Sequence, residues 1–187
     1  MSAGTIDELA LRPTFITHSW EDGNITRHPE SHYLDFVVNG RGLSELEWEG
    51  LYEKHLTPLN RAWLRHVPAE VDRLLGRACD PDLDVGRCTI LVCPIDGDLG
   101  CGAVTARVSV DEVAVRWSDW GLENGRGPAT PIEGFGRSVT FDRESYERTL
   151  RAAYDQVAAL PYDELAHRGR RFLWPWQWGW KLPADPG

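Results

Sequence analysis

Cys88-Thr89-Ile90-Leu91-Val92-Cys93 is apolar on both parities apart from Thr89, the pattern of a strand covered on both faces. Residues 101–110 and 112–117 carry the pattern onward, with Val113, Val115 and Trp117 alternating with Glu112, Ala114 and Arg116. The turn formers Asp96-Gly97 and Asp111 separate the three runs, so they read as an antiparallel meander with 88–93 as its central strand. Upstream, residues 12–17 and 33–38 are rich in β-branched and aromatic side chains and are separated by Asp22-Gly23-Asn24 and His28-Pro29. They read as two further strands, paired with each other. Residues 1–11 show no clear period and read as a loose lead-in.

Between 43 and 75 the apolar spacing turns helical, with Leu59, Trp63, Leu64 and Val67, then Val71, Leu74 and Leu75. Pro68 suits a first helical turn and Gly76 a left-handed stop, which predicts a short helix over 69–75. The strongest helical signal covers 143–159. Asp142 is a suitable N-cap, Phe141 can staple onto Tyr146, and Tyr146, Leu150, Ala153, Tyr154 and Val157 form one apolar stripe. Pro161 ends it. Residues 119–137 hold five glycines and two prolines and read as a long irregular loop. The expected fold class is therefore α+β: an antiparallel meander sheet packed against one long C-terminal helix, with shorter N-terminal helical segments.

The chain has 187 residues, the size of a single domain. With 42% hydrophobic and 26% charged residues it has globular composition, which excludes a disordered or fibrous chain. The longest stretch without Asp, Glu, Lys or Arg, 172–180, is too short for a membrane-spanning helix. Met1 to Leu11 lacks the basic and apolar regions of a secretory signal, so a cytoplasmic location is expected. Twenty basic residues against 29 acidic ones leave a net charge of −9, which repels nucleic acid and anionic membranes and favours a basic protein partner.

Candidate sites follow from chemistry at particular positions. Cys93, Asp96 and Cys101 offer three metal ligands. A three-residue hairpin loop at 96–98 would instead set Cys93 against Cys101, close enough for a disulfide or a shared ion. Structural thiols are the third reading of the same cysteines, and no cofactor is required. His18, His28 and His32, with Asp22 and Glu30, fit a polar loop or a divalent metal. His55 and His66 are expected at the surface. Asp119, Trp120 and Glu123 combine indole and carboxylate, the makings of a small-molecule pocket or a partner contact. In the tail, Trp174, Trp176, Trp178 and Trp180 share one parity, so an extended strand over 172–180 would present four indoles on one face. Four exposed indoles exceed the apolar patch normal on a monomer, so the protein itself, a partner or a flat ligand must cover them.

The run 91–104, with Cys93-Pro94-Ile95-Asp96-Gly97-Asp98-Leu99-Gly100-Cys101-Gly102 at its centre, then Val115-Arg116-Trp117-Ser118-Asp119-Trp120 and Phe141-Asp142-Arg143-Glu144-Ser145-Tyr146, resembles a family of actinobacterial proteins. Those proteins read C-P-x-C-G-D-x-G-C-G, V-x-W-x-D and F-D-R-x-x-Y. The resemblance is best over 87–152 and weaker over 34–40. It implies a shared fold and no established activity. Asp96 stands where the family pattern has its middle cysteine, so a metal role shared by that family would not carry over intact.

No phosphate-binding loop, nucleophile elbow or distinguishable Ser-His-Asp order occurs in the sequence. The leading expectation is a non-enzymatic cytoplasmic binding protein, of the immunity or antitoxin-like kind, that masks a basic partner with acidic and tryptophan-rich surface. The alternative is a small-molecule-binding protein or enzyme using the 119–124 loop, with a metal at Cys93, Asp96 and Cys101.

Overall fold

The computed structural model describes residues 5–17, 20–22, 25–27, 30–48, 50–51, 54–94, 97, 99–125, 127–132 and 138–164. The expected tryptophan row at 174–180 lies outside them. The architecture is α+β with antiparallel sheets. Strands β1 (Leu9–Thr17), β4 (Glu30–Val38) and β5 (Arg41–Gly42) form one sheet in that order, and β2 (Trp20–Asp22) with β3 (Ile25–Arg27) forms a small hairpin between the first two. Strands β6 (Arg87–Val92), β7 (Ala103–Val110), β8 (Ala114–Glu123) and β10 (Val139–Asp142) form the larger sheet in the order β10-β8-β7-β6, with β9 (Thr130–Pro131) against β8. The helices are α1 (Val67–Leu74), α2 (Arg143–Arg151) and α3 (Ala153–Ala158).

Two seams join the sheets. At one, Asp7 bridges Phe141 in parallel; its N–H donates to Thr140 O at 2.7 Å, and its carboxylate accepts from Thr140 N at 2.8 Å. At the other, Leu56 exchanges both backbone hydrogen bonds with Val92, while Leu34 N donates to Leu59 O and Tyr33 bridges Asn60. Backbone pairing therefore runs in a ring, from β1 through β4, residues 56–60, β6, β7, β8 and β10 back to Asp7. Such closure satisfies strand edges that would otherwise recruit other chains.

The meander and the 12–17/33–38 pairing stand as expected, with three differences. The lead-in is structured from Asp7, because Asp7 closes the ring and β1 starts at Leu9. The run 88–93 ends its sheet instead of lying at its centre, and its outer edge is covered by Leu56. That is why every residue of β6 is buried. Residues 119–123 continue β8, and β9 pairs with Gly121 and Leu122, so the expected loop over 119–137 is in part sheet. Val113, expected to face inward, is exposed in the turn.

The helix expected over 143–159 is two short ones rather than one long one. Asp142 caps α2 as expected, its side chain accepting from Ser145 N at 2.9 Å. The break falls at Ala152 (φ −80°, ψ −6°). One turn earlier Thr149 Oγ1 donates to the Ser145 carbonyl at 3.0 Å, a side-chain bond that competes with the helical ladder and bends helices. Tyr146, Leu150, Ala153 and Val157 are buried, whereas Tyr154, placed on the stripe by the sequence, is 44% exposed. The short helix around Pro68 and the stop at Gly76 (φ +68°) are present.

Trp117 is fully buried and sits at the middle of the core, edge-on to Phe36, Phe141 and Tyr146 at ring-centroid distances of 5.4, 5.2 and 6.1 Å. Its Nε1 donates to Tyr146 Oη at 3.0 Å, and Tyr146 in turn donates to Leu74 O at 2.9 Å. That last bond satisfies one of the carbonyls that the C-terminus of α1 leaves without an intrahelical partner. Burial drives the Tyr146 phenol far above its ordinary pKa, so it remains a donor. Replacing Tyr146→Phe keeps the ring and orphans both partners, which should cost about 1–3 kcal/mol. A urea titration would read this as a lower midpoint with an unchanged slope; an unchanged midpoint would show that the relay does not support the core.

Candidate functional site

Asp119 and Glu123 come together around a residue the sequence did not single out. Arg87 opens β6, its side chain 2% exposed. Its Nη1 and Nη2 both donate to the Asp119 carbonyl, at 2.7 and 2.6 Å, its Nε donates to Glu123 Oε1 at 3.1 Å, and its Nη1 reaches Asp119 Oδ2 at 3.2 Å. The anchor of this clamp is a β-bulge. Thr105 pairs with Gly121 and Arg107 with Ser118, so one residue of β7 faces two of β8, Asp119 and Trp120. Asp119 takes the left-handed conformation (φ +50°), a cost for a residue with a side chain. Gly121 leaves the space: a Cβ there would lie 2.7 Å from Arg87 Nη2.

The bulge decides where the indoles go. In an unbroken strand Trp117 and Trp120, three apart, would face opposite sides. The extra residue resets the parity, and both are buried with rings 6.0 Å apart, Trp120 also lying 5.8 Å from Trp48. Trp120 is thus a core residue and not an exposed contact. Glu123 is almost wholly buried, and burial holds its carboxyl above the usual range, Asp84 adding to the shift and Arg87 opposing it.

Cys93 is buried and Cys101 exposed. Val92 pairs with Ala103, a register that would set Cys93 against Gly102 rather than Cys101, and a 3-10 turn over Leu99–Cys101 replaces the expected tight hairpin. Asp96 lies outside the described residues, as do His18 and His28. Among the described residues no group of three His, Cys, Asp or Glu side chains is placed to hold a metal ion. His32 pairs with Glu30 at 3.0 Å and packs on Phe15. His55, expected at the surface, is buried, its Nε2 donating to the Gly102 carbonyl at 2.9 Å across the join between strands.

Two further polar clusters are structural. Asp35, fully buried, accepts from Ser44 N at 3.0 Å and from Arg12 at 3.3 Å, and burial raises its carboxyl pKa against both. It pins the turn at Gly42, where a Cβ would collide with its carboxylate. Cys88 donates to Arg73 O, and burial, with Asp80 and Glu70 nearby, pushes its thiol up to about 12. A thiol held that high is a poor nucleophile.

An open cleft of about 830 Å³ lies among the described residues. Arg65, His66, Glu70 and Arg73, on α1 and the 3-10 turn before it, form one wall, continued by Asp80 and Asp82. Thr89 and Val92 of β6 contribute, and Leu99, Asn124 and Gly125 complete the lining. The Trp63 indole also lines it, pressed close to Gly97, whose Cβ would meet the ring at 3.3 Å. Arg73 bridges Glu70 and, at 3.4 Å, Asp80, so one guanidinium serves two carboxylates. Arg65 Nε donates to His66 Nε2 at 2.9 Å, occupying that ring nitrogen as an acceptor. Because Asn124 and Gly125 follow directly on β8, the Arg87 clamp positions this side of the cleft.

No known family model matches the chain, and no curated protein or solved structure matches it.

Arg87→Met alone strands a buried Glu123 charge and the Asp119 carbonyl, and should destabilise the fold by about 3–5 kcal/mol. The double variant Arg87→Met/Glu123→Leu, which also removes the orphaned charge, should recover a large part of the loss. Equal losses in the single and double variants would show that the charge pair is not what matters. Folded Glu123 keeps its proton to higher pH than the unfolded chain does, so its ionisation subtracts stability as pH rises from the ordinary glutamate value of 4.5. Glu123→Gln should remove that slope: the wild-type advantage over the variant, measured by urea unfolding across a pH series, should shrink with rising pH. An advantage that grew would reverse the sign argued here.

Proposed function

We propose that this is a non-enzymatic binding protein of the cytoplasm that grips a basic protein partner, in the manner of an immunity or antitoxin-like inhibitor. The observation that carries the reading is the net charge of −9, a field that accelerates encounter with cationic surfaces and disfavours nucleic acid and anionic lipid. The ionisable groups gathered around Arg87 and at Cys88 agree with it. Arg87, Asp119 and Glu123 are engaged with one another, and Cys88 is held as a thiol, so these groups serve the fold. No described helix is long and apolar enough to cross a membrane. Trp174, Trp176, Trp178 and Trp180 enter the proposal as a second contact area.

The size of the cleft favours a second reading, since about 830 Å³ falls among the volumes of small-ligand pockets. Under that reading the ligand sits against Trp63, with Asn124 the one member of the 119–124 segment at the cleft, since 119–123 belong to β8. A metal at Cys93, Asp96 and Cys101 belongs with this alternative.

Co-expression of the protein with the products of neighbouring genes, followed by purification in low salt, separates the two. The binding reading expects a lysine- and arginine-rich polypeptide to co-purify, to be released by salt, and to lose its own activity while bound. Retention of a stoichiometric metal or small molecule, with no such polypeptide, would overturn it.

A further inference from the structure

We infer that the cleft beside α1 is the seat for a cationic side chain, arginine or lysine, carried on a loop of the partner and laid against Trp63 between Glu70, Asp80 and Asp82. This deepens the binding reading and rests on it.

The argument is one of charge and shape. Glu70 and Asp80 share a single guanidinium, that of Arg73, and both are largely withdrawn from water, with side-chain exposures of 16% and 10%. Two carboxylates against one cation leave a negative excess where solvent screens it poorly, and the exposed Asp82 adds to it at the rim. The Glu70 carboxyl is raised chiefly by burial, with Arg73 opposing the shift and Asp80 adding to it. A guest cation would relieve the imbalance. Trp63 supplies the second element of recognition, since the face of an indole attracts ammonium and, more often, guanidinium groups. Arg65, also on this wall, is turned towards His66, with which it is hydrogen-bonded. The cleft is open and its volume exceeds what one side chain needs, which suits a loop with a basic residue at its tip better than an isolated amine.

The test titrates the full chain with an oligo-arginine peptide and, as control, an oligo-glutamate peptide of equal length, following binding by calorimetry at low and physiological salt. Oligo-arginine should bind and weaken with salt, and oligo-glutamate should not bind. Glu70→Gln and Asp82→Asn should each weaken the complex about tenfold, as loss of one member of an interfacial charge pair does. Trp63→Ala should weaken it about fivefold, the scale of a cation–π contact. Asp82 is exposed and outside the core, so Asp82→Asn stands as the variant least prone to misfolding, with circular dichroism checking all three. If oligo-arginine binds all variants as it binds the wild type, the cleft is the wrong seat while the acidic binding reading stands. If it does not bind the wild type at all, this inference is overturned, and the co-purification experiment decides the broader reading separately.

Discussion

A buried guanidinium that reaches from β6 across β7 to β8 sets much of this molecule's layout. Arg87 holds the Asp119 carbonyl with both terminal nitrogens, and Asp119 is the residue that must sit in the left-handed region for β8 to gain one residue on β7. Without that gain Trp120 would point away from Trp117, and the cluster linking Trp48, Trp120, Trp117 and Phe141 would lose its continuity. Buried ion pairs seldom add much net stability, because desolvation offsets attraction. Here the pair's role is conformational: it selects one register of β8, and with it the position of Asn124 and Gly125 at the mouth of the cleft.

The cleft sits where three independently stabilised parts meet. The α1 wall is tied to the core through Leu74 O and Tyr146, the β6 side through Leu56 and Val92, and the Asn124 side through the end of the bulged strand. Each anchor is buried, whereas much of the cleft surface itself is polar and open. A rigid frame presenting a wet, charged concavity suits recognition, because little ordering entropy remains to be lost on association.

How much of this was legible in the sequence depended on the range of the interaction involved. Local signals were read well: the Asp142 cap, the staple of Phe141 on Tyr146, whose rings stack at 5.4 Å, Pro68 in a first turn and the alternation around Val115 and Trp117. The Asn39-Gly40 pair between β4 and β5, with φ of +51° and +79°, is an equally local hairpin signal. What could not be read was set by contacts between distant positions. Arg87 looks like an ordinary polar strand start until Asp119 and Glu123 are brought to it, and the bulge breaks the two-residue alternation after Trp117, so a strict period reads the strand as ending there. His55 and Tyr154 were misplaced for the same reason, since which face of a short element is covered depends on its neighbours. Of the candidate site, Asp119 and Glu123 meet at Arg87 and Trp120 is buried, contacts that adjacency in sequence does not reveal, while Trp63 reads only as core spacing and the Glu70–Arg73–Asp80 set leaves no sequence signal.

The seam at Asp7 also bears on the order of events during synthesis. Its partner Thr140 lies 133 positions further along the chain, so the ring of strands cannot close until β10 has left the ribosome. Until β10 is translated, β1 and β8 each wait with one edge unmatched, and strand edges of that kind are where nascent chains stick to one another. A strand made late therefore completes the seam begun at Asp7, and those edges stay open through most of the intervening synthesis.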